Sequence, residues 1–193
     1  MKLRKIQYLL LLLLLLQSCR SNSVNNNKAD YPLRELYEYF DQLSQNEIHF
    51  ADLDYRLNDA KGKNNTDVVN SVTKEFATAQ EECLKKLEAK FPLGSIKLPF
   101  EQIGSKDTLI VKSAYVSGFA FPWTTATSIC YYFTIEYDLI KKDLWYAKIP
   151  LTFMDSEGDI LCICNVPANP DGKTRFPIKA QPSFIKFVKI FIN

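Results

Sequence analysis

The apolar residues of this chain repeat at two different spacings, and the change between them falls near Gly94. Before Gly94, large apolar side chains recur every three or four residues, which places them along one face of an α-helix. After Gly94, they recur at every second position, as in residues 129–139, and this is the pattern of a strand with one buried face. A helical region followed by a strand-rich region predicts an α+β fold.

The helical region is predicted to span residues 31–93. Asp30 can serve as the N-cap of its first part, and Pro32 lies in the first turn, where a missing N–H costs least. The polar run at residues 61–65 interrupts the helix, and Thr66 can cap the next one. The apolar stripe of that helix consists of Val69, Val72, Phe76, Ala79, Cys83 and Leu87. Because a short polar loop joins two amphipathic segments, we expect an antiparallel helical hairpin.

The strand-rich region is predicted to span residues 94–193. Its candidate strands are residues 96–100, 108–117, 129–139, 145–153, 160–166, 174–180 and 184–192. About seven short strands at this spacing favour an antiparallel β-sandwich of immunoglobulin-like type, with Phe133 and Phe153 in one core. Pro150 indicates an edge strand or a bulge. The last segment also fits one face of a helix, but its β-branched and aromatic residues favour a strand.

The first 19 residues have the pattern of an export signal. Their basic side chains are those of Lys2, Arg4 and Lys5. Residues 6–16 are predominantly apolar and include eight consecutive leucines. As a helix, this segment would cover only about half of a hydrocarbon core that is about 30 Å thick, so it is too short to span a membrane. It ends at a small residue, Ser18, followed by Cys19.

This segment resembles the signal peptides of bacterial lipoproteins, which place a leucine three residues before the acylated cysteine and a small residue immediately before it. Leu16, Ser18 and Cys19 match those positions, whereas Gln17 stands where that family usually has a small or β-branched residue. The resemblance implies that residues 1–18 are removed and that Cys19 becomes a lipidated first residue. It also implies a bacterial cell-envelope location, with anchorage at the outer membrane facing the periplasm or the cell surface.

The residues that follow the expected anchor are polar. Residues 20–30 contain one apolar side chain larger than alanine, so they cannot bury enough surface to order themselves. We therefore interpret residues 19–30 as the lipidated cysteine and a flexible tether.

The charge of the chain argues against a nucleic-acid partner. The full chain has 24 basic and 22 acidic side chains, and loss of three basic residues with the signal leaves 21 basic ones. This balance offers no concentrated Lys/Arg face for nucleic acid. The chain also lacks the glycine-rich motifs of nucleotide-binding loops, so we expect neither a nucleotide nor another cofactor.

The residues that could ligate a metal or act as nucleophiles lack recognisable partners. His49 is the single histidine, and no zinc-binding or Ser-His-Asp spacing surrounds it. Four cysteines follow Cys19, namely Cys83, Cys130, Cys162 and Cys164. The sequence leaves open whether Cys130 pairs with Cys162 or Cys164, or whether all four remain free thiols. The acidic run at residues 155–159 is typical of a hairpin turn and does not match an EF-hand, so no metal site is predicted.

Residues 118–125 form an aromatic segment between two predicted strands, and we take it as the candidate binding loop. Its large rings are Phe119, Phe121 and Trp123. Such rings can anchor a protein partner or stack on a sugar, or they can fold back and close one end of a sandwich.

The sequence thus favours a non-enzymatic, membrane-anchored envelope lipoprotein that binds a protein partner or contributes to an assembly. The first alternative is an immunity or inhibitor lipoprotein that blocks a toxin or hydrolase in the periplasm. The second is a hydrolase on a sandwich scaffold, which would need two or more convergent acids in a deep pocket.

Overall fold

The computed structural model describes residues 31–104, 106–141 and 147–193. The expected signal peptide, the lipidated Cys19 and the tether lie outside these residues. Tyr31–Asn193 forms one compact unit. Within the described part of the chain, no helix is both long enough and apolar enough to cross a membrane.

The first part of the described chain is helical: α1 is Arg34–Gln42, α2 is Phe50–Gly62 and α3 is Thr66–Lys90. A π-helical turn, Leu43–Glu47, follows α1 directly. His49 then takes a left-handed backbone conformation, with φ at 56°, immediately before α2. The first arm of the predicted hairpin therefore consists of two helices, α1 and α2, joined at residues 43–49.

The apolar stripe predicted for α3 is confirmed. Val72, Phe76, Cys83 and Leu87 are fully buried, and Val69 and Ala79 pack against the core. The cap lies one residue before the expected position, because the side chain of Asn65, and not that of Thr66, accepts a hydrogen bond from the Val68 N–H at 3.2 Å. Ring stacking between Phe50 and Phe76 at 6.2 Å joins α2 to α3.

Seven strands in two sheets follow within the described residues. They are β1, Phe100–Gln102; β2, Leu109–Ala120; β3, Cys130–Leu139; β4, Lys148–Asp155; β5, Ile160–Pro167; β6, Lys173–Lys179; and β7, Phe187–Ile192. One sheet has the order β1-β7-β4-β5 and the other has the order β2-β3-β6. The prediction of a mixed α+β fold with about seven strands is confirmed.

The expectation that every strand pairs in antiparallel fashion is wrong at one edge. β1 pairs with β7 in parallel, with Phe100 opposite Ile190. Just before β1, residues 94–98 run along β2 instead, and Lys97 forms an antiparallel bridge with Tyr115. The chain crosses from one sheet to the other at Pro99, which has no N–H to offer either ladder. The predicted strand at residues 96–100 is therefore divided between the two sheets.

Two local expectations also need correction. β4 lies between β7 and β5, so Pro150 does not mark an edge strand. The β4–β7 register begins at Leu151, opposite Ile192, so the missing N–H of Pro150 falls at the end of that ladder. The final segment contains both elements that its pattern allowed, a 3₁₀ helix at Pro182–Lys186 and then strand β7.

The hydrophobic core combines side chains of both sheets with side chains of the helices. Phe133 of β3 and Phe153 of β4 belong to different sheets, and both are fully buried. Their ring centroids are 5.6 Å apart, which confirms the prediction that they share one core. Phe176 of β6 and Phe187 of β7 extend this cluster, at 6.1 Å from Phe133 and 5.8 Å from Phe153 respectively.

Candidate functional site

The three rings of the candidate binding loop occupy three different environments. Phe119 lies within strand β2, because this strand runs to Ala120 and not only to residue 117 as expected. It is 7% exposed, and its ring meets that of Tyr131 edge-on at 6.3 Å. The assignment of Phe119 to a surface loop is therefore wrong, and the residue belongs to the core.

Phe121 is half-buried where the helices meet the β2–β3 connection. Its ring centroid lies 5.3 Å from that of Phe50 and 6.3 Å from that of Phe40. Phe50 begins α2 and Phe40 belongs to α1, so Phe121 joins two helices to the end of a strand. This contact corresponds to the alternative in which a ring folds back and closes one end of the strand-rich region.

Trp123 is the member of the set that faces solvent. It is 59% exposed, and its backbone oxygen accepts a hydrogen bond from the Ala126 N–H at 3.0 Å, which closes a turn. An exposed tryptophan presents a large apolar area together with an indole N–H donor, and such residues are enriched at energetically dominant positions of protein interfaces. Of the three predicted site residues, Trp123 keeps the properties of a binding residue.

A buried glutamine holds the loop that carries Trp123. Gln80 is 8% exposed on α3, and its Nε2 donates to the backbone oxygen of Trp123 at 3.1 Å and to that of Ala126 at 2.9 Å. Two hydrogen bonds from one amide fix the two ends of the turn against a long helix. The exposed ring therefore projects from a backbone that is already in place before any partner binds.

Sequence reasoning did not assign a role to Gln80, since a polar residue on an amphipathic helix is usually exposed. A signal was nevertheless available. Gln80 lies four residues after Phe76 and three before Cys83, so it falls on the same stripe as these buried residues. A polar side chain in such a position needs partners in the interior, and the loop carbonyls provide them.

The four cysteines that follow Cys19 are all free thiols in the structure. Cys162 and Cys164 stand opposite Phe153 and Leu151 of β4, which confirms that they share one face of β5. Burial raises the pKa of Cys83 to about 12 and that of Cys164 to about 11. Thiols held protonated at neutral pH are poor nucleophiles.

The Glu136 carboxylate is hydrogen-bonded on the outer face of the sheet whose central strand is β3. Glu136 accepts from Lys173 Nζ at 3.0 Å, from Tyr115 OH at 2.8 Å and from Ser113 Oγ at 2.9 Å. These donors, with Lys173 the largest contributor, lower the pKa of Glu136 to about 2. Glu136 is thus ionised at neutral pH, and it joins the three strands of its sheet.

A groove of about 470 Å³ between α2 and α3 contains several acidic side chains, and cations pair with them. Glu47 and Glu82 both contact Lys86 Nζ, at 2.7 Å and 2.9 Å. Glu75 accepts from both terminal nitrogens of Arg56, and this pairing lowers the pKa of Glu75. The acids of this groove are therefore engaged in ion pairs with neighbouring cations.

The acidic turn between β4 and β5 brings Asp155, Glu157 and Asp159 together, with carboxylate oxygens within 4.8 Å of one another. Asp155 is buried, and its Oδ1 accepts from the backbone N–H groups of Glu157 and Asp159, each at 2.9 Å. This is the geometry of an aspartate that stabilises its own turn, in accord with the turn assignment made from the sequence.

Comparison with known proteins finds no matching family model, no significantly similar curated protein and no significantly similar solved structure.

Proposed function

We propose that this protein is a non-enzymatic lipoprotein of the bacterial cell envelope that binds a protein partner through the loop centred on Trp123. The observation that carries this proposal is an exposed indole on a backbone fixed by Gln80. Preorganisation lowers the conformational entropy that is lost on binding, so a single ring on a fixed turn can contribute more affinity than one on a mobile loop.

The anchor belongs to the proposal as well. Acylation of Cys19 would attach the chain to a membrane, with about 0.8 kcal/mol of membrane affinity for each buried methylene. A tether over residues 19–30 would then hold the folded part near the membrane surface. The match of Leu16, Ser18 and Cys19 to lipoprotein signals supports this arrangement.

We further propose that the two sheets form a sandwich with the layered architecture of immunoglobulin-like domains, although with a strand order of its own. Contact between Phe133 and Phe153 across the sheets supports the layered arrangement. In the helical part, we propose that α2 and α3 form the expected hairpin. The bidentate pair of Arg56 and Glu75 and the stacked rings of Phe50 and Phe76 support this pairing.

An immunity or inhibitor lipoprotein remains the second candidate, because it would use the same exposed ring. The two candidates differ in the number of proteins that each would recover and in their ratio. An inhibitor recovers one tight partner at a ratio of one to one, whereas an assembly component recovers several proteins of a complex.

The test is a pull-down from detergent-solubilised native envelope after mild crosslinking, with wild type compared with Trp123→Ala. Tyr55→Ala is the matched control, since Tyr55 is also an exposed aromatic, at 72%, but lies on α2. We expect the recovered partner to be lost with Trp123→Ala and kept with Tyr55→Ala. Equal recovery by both variants, each shown to be folded by circular dichroism, would refute a role for Trp123.

A further inference from the structure

The two sheets have four edges, and three of them are protected against pairing with another strand. Residues 94–98 cover the middle of β2, at Ala114 and Val116, with three backbone hydrogen bonds of 2.8 to 3.0 Å. β1 is only three residues long and carries Glu101. β6 carries three cations and a proline, in the sequence Lys-Thr-Arg-Phe-Pro-Ile-Lys. Coverage, short length, charge and proline are the usual means by which proteins prevent edge-to-edge association.

The fourth edge, β5, lacks coverage, short length and charge among the described residues, and its bulge lies near its start, at Leu161. It is eight residues long, carries no charged side chain and reaches its proline only at the final position, Pro167. Two of its side chains are large, apolar and open to solvent, since Ile160 is 58% exposed and Ile163 is 64% exposed. No described segment pairs with the outer edge of this strand. A neutral, apolar edge of this length is suited to accept another strand.

We propose that β5 pairs with β5 of a second copy of this chain, so that two four-stranded sheets join into one continuous eight-stranded sheet across a two-fold axis. Antiparallel pairing about such an axis is isologous, because both copies contribute the same segment, β5, to the interface. The unpaired N–H and C=O groups of each edge then satisfy those of the other.

Charge permits a second copy of the chain to pair along β5 and opposes such pairing along β6. In isologous pairing a strand stands opposite its own residues, so a charged strand repels itself, because like charges directly opposite each other are destabilising. β6 would bring three cations against three cations. β5 has no charge from Ile160 to Pro167 and can pair with itself without this penalty. A donor strand supplied by an unrelated protein is the rival occupant, and the test below separates the two.

The cysteines of β5 make this pairing measurable. A register centred on Ile163 places Cys162 of one copy opposite Cys164 of the second copy, because opposite residues in antiparallel strands share one face of the sheet. Opposite Cα atoms in such a pair are about 4.5 to 5.5 Å apart. This distance lies within the range of about 4.4 to 6.8 Å that a disulfide bridges. Cys130 lies in β3, in the other sheet, and serves as the matched control.

The first measurement is crosslinking of the full chain in native membranes with copper(II)-phenanthroline at mildly alkaline pH. Two thiols form one disulfide and release two protons, and two electrons pass to copper(II). We expect a covalent homodimer with wild type and with Cys130→Ser, and none with the double variant Cys162→Ser, Cys164→Ser. A covalent homodimer that forms through Cys130, or one that persists in the double variant, would overturn the proposal.

The second measurement is the molecular mass of the detergent-purified full chain by light scattering, from about 1 to 100 μM. Ile163→Lys places two cations near the two-fold axis and should raise the dissociation constant of the dimer at least tenfold. Ile110→Lys adds the same charge at a similarly exposed isoleucine of β2, and it should leave the dimer intact. A wild type that stays monomeric, a dimer that survives Ile163→Lys, or recovery of a different protein on β5 would each contradict self-pairing.

Discussion

Replacement of Gln80 tests how firmly the Trp123 loop is held. Gln80→Ala removes two hydrogen bonds, and the two acceptors differ in environment. The bond to the Trp123 oxygen is partly buried, so water can replace the lost donor, and the net loss is about 1 kcal/mol. The bond to the Ala126 oxygen is buried, and an unsatisfied carbonyl there costs about 1 to 3 kcal/mol. We therefore expect the free energy of unfolding to fall by about 2 to 4 kcal/mol.

The assay is urea denaturation followed by circular dichroism, together with amide hydrogen exchange across residues 121–128. Exchange in this loop should accelerate in Gln80→Ala, because the turn loses its contact with α3. Gln45→Ala is the control, since Gln45 makes an exposed side-chain bond to Asp41, and its removal should cost no more than about 0.5 kcal/mol. If Gln80→Ala costs less than about 1 kcal/mol and leaves loop exchange unchanged, Gln80 does not hold the loop.

Three further changes test the core, the electrostatics and the anchor. Phe133→Ala should cost about 3 to 5 kcal/mol in chemical denaturation because it empties the contact between the sheets, and a cost below about 1 kcal/mol would contradict the shared core. The pKa of Glu136 lies below that of an ordinary glutamate, so its stabilising effect is present above pH 4.5 and is lost as the pH falls toward 2. Glu136→Gln should therefore show a smaller loss of stability than wild type over that acid range, and a parallel loss in both proteins would exclude this role. Cys19→Ser should move the protein from the membrane to the soluble envelope fraction, and a variant that stays in the membrane with its signal segment would indicate an uncleaved anchor.

The division into helices and strands was predictable because both periods are properties of short windows of sequence. The stripe from Val72 to Leu87 and the alternation through Phe133 depend only on which side chains are apolar. Neither pattern depends on which elements become neighbours, so both could be read before any contact was known.

Strand partners were not predictable in the same way, because alternation assigns faces and not neighbours. The parallel pairing of β1 with β7 joins residues that are 90 positions apart, Phe100 and Ile190. The division of residues 94–98 from β1 likewise depends on two sheets competing for one segment. Pro99 marks the residue at which the chain crosses between the sheets. The sequence around it does not indicate which sheet the residues before or after it will join.

The candidate site was predicted in part. An aromatic segment between strands pointed to residues 118–125, and Trp123 remains the exposed ring of that segment. The burial of Phe119 depends on how far β2 extends, and the partial burial of Phe121 depends on the position of α1 and α2. Gln80 was missed because its partners are backbone carbonyls more than 40 residues away, which have no sequence signature.

Affinity for the partner recovered from the envelope tests directly whether the Trp123 loop forms the binding surface. Trp123→Ala and His49→Ala would be compared with wild type by calorimetry, and the melting temperature of each variant would be measured in parallel. We expect Trp123→Ala to lose about 2 kcal/mol or more of binding free energy while it remains folded, and His49→Ala to bind like wild type. Unchanged affinity in Trp123→Ala, or a lower melting temperature with constant binding per folded molecule, would mean that the loop is structural and that the partner binds elsewhere.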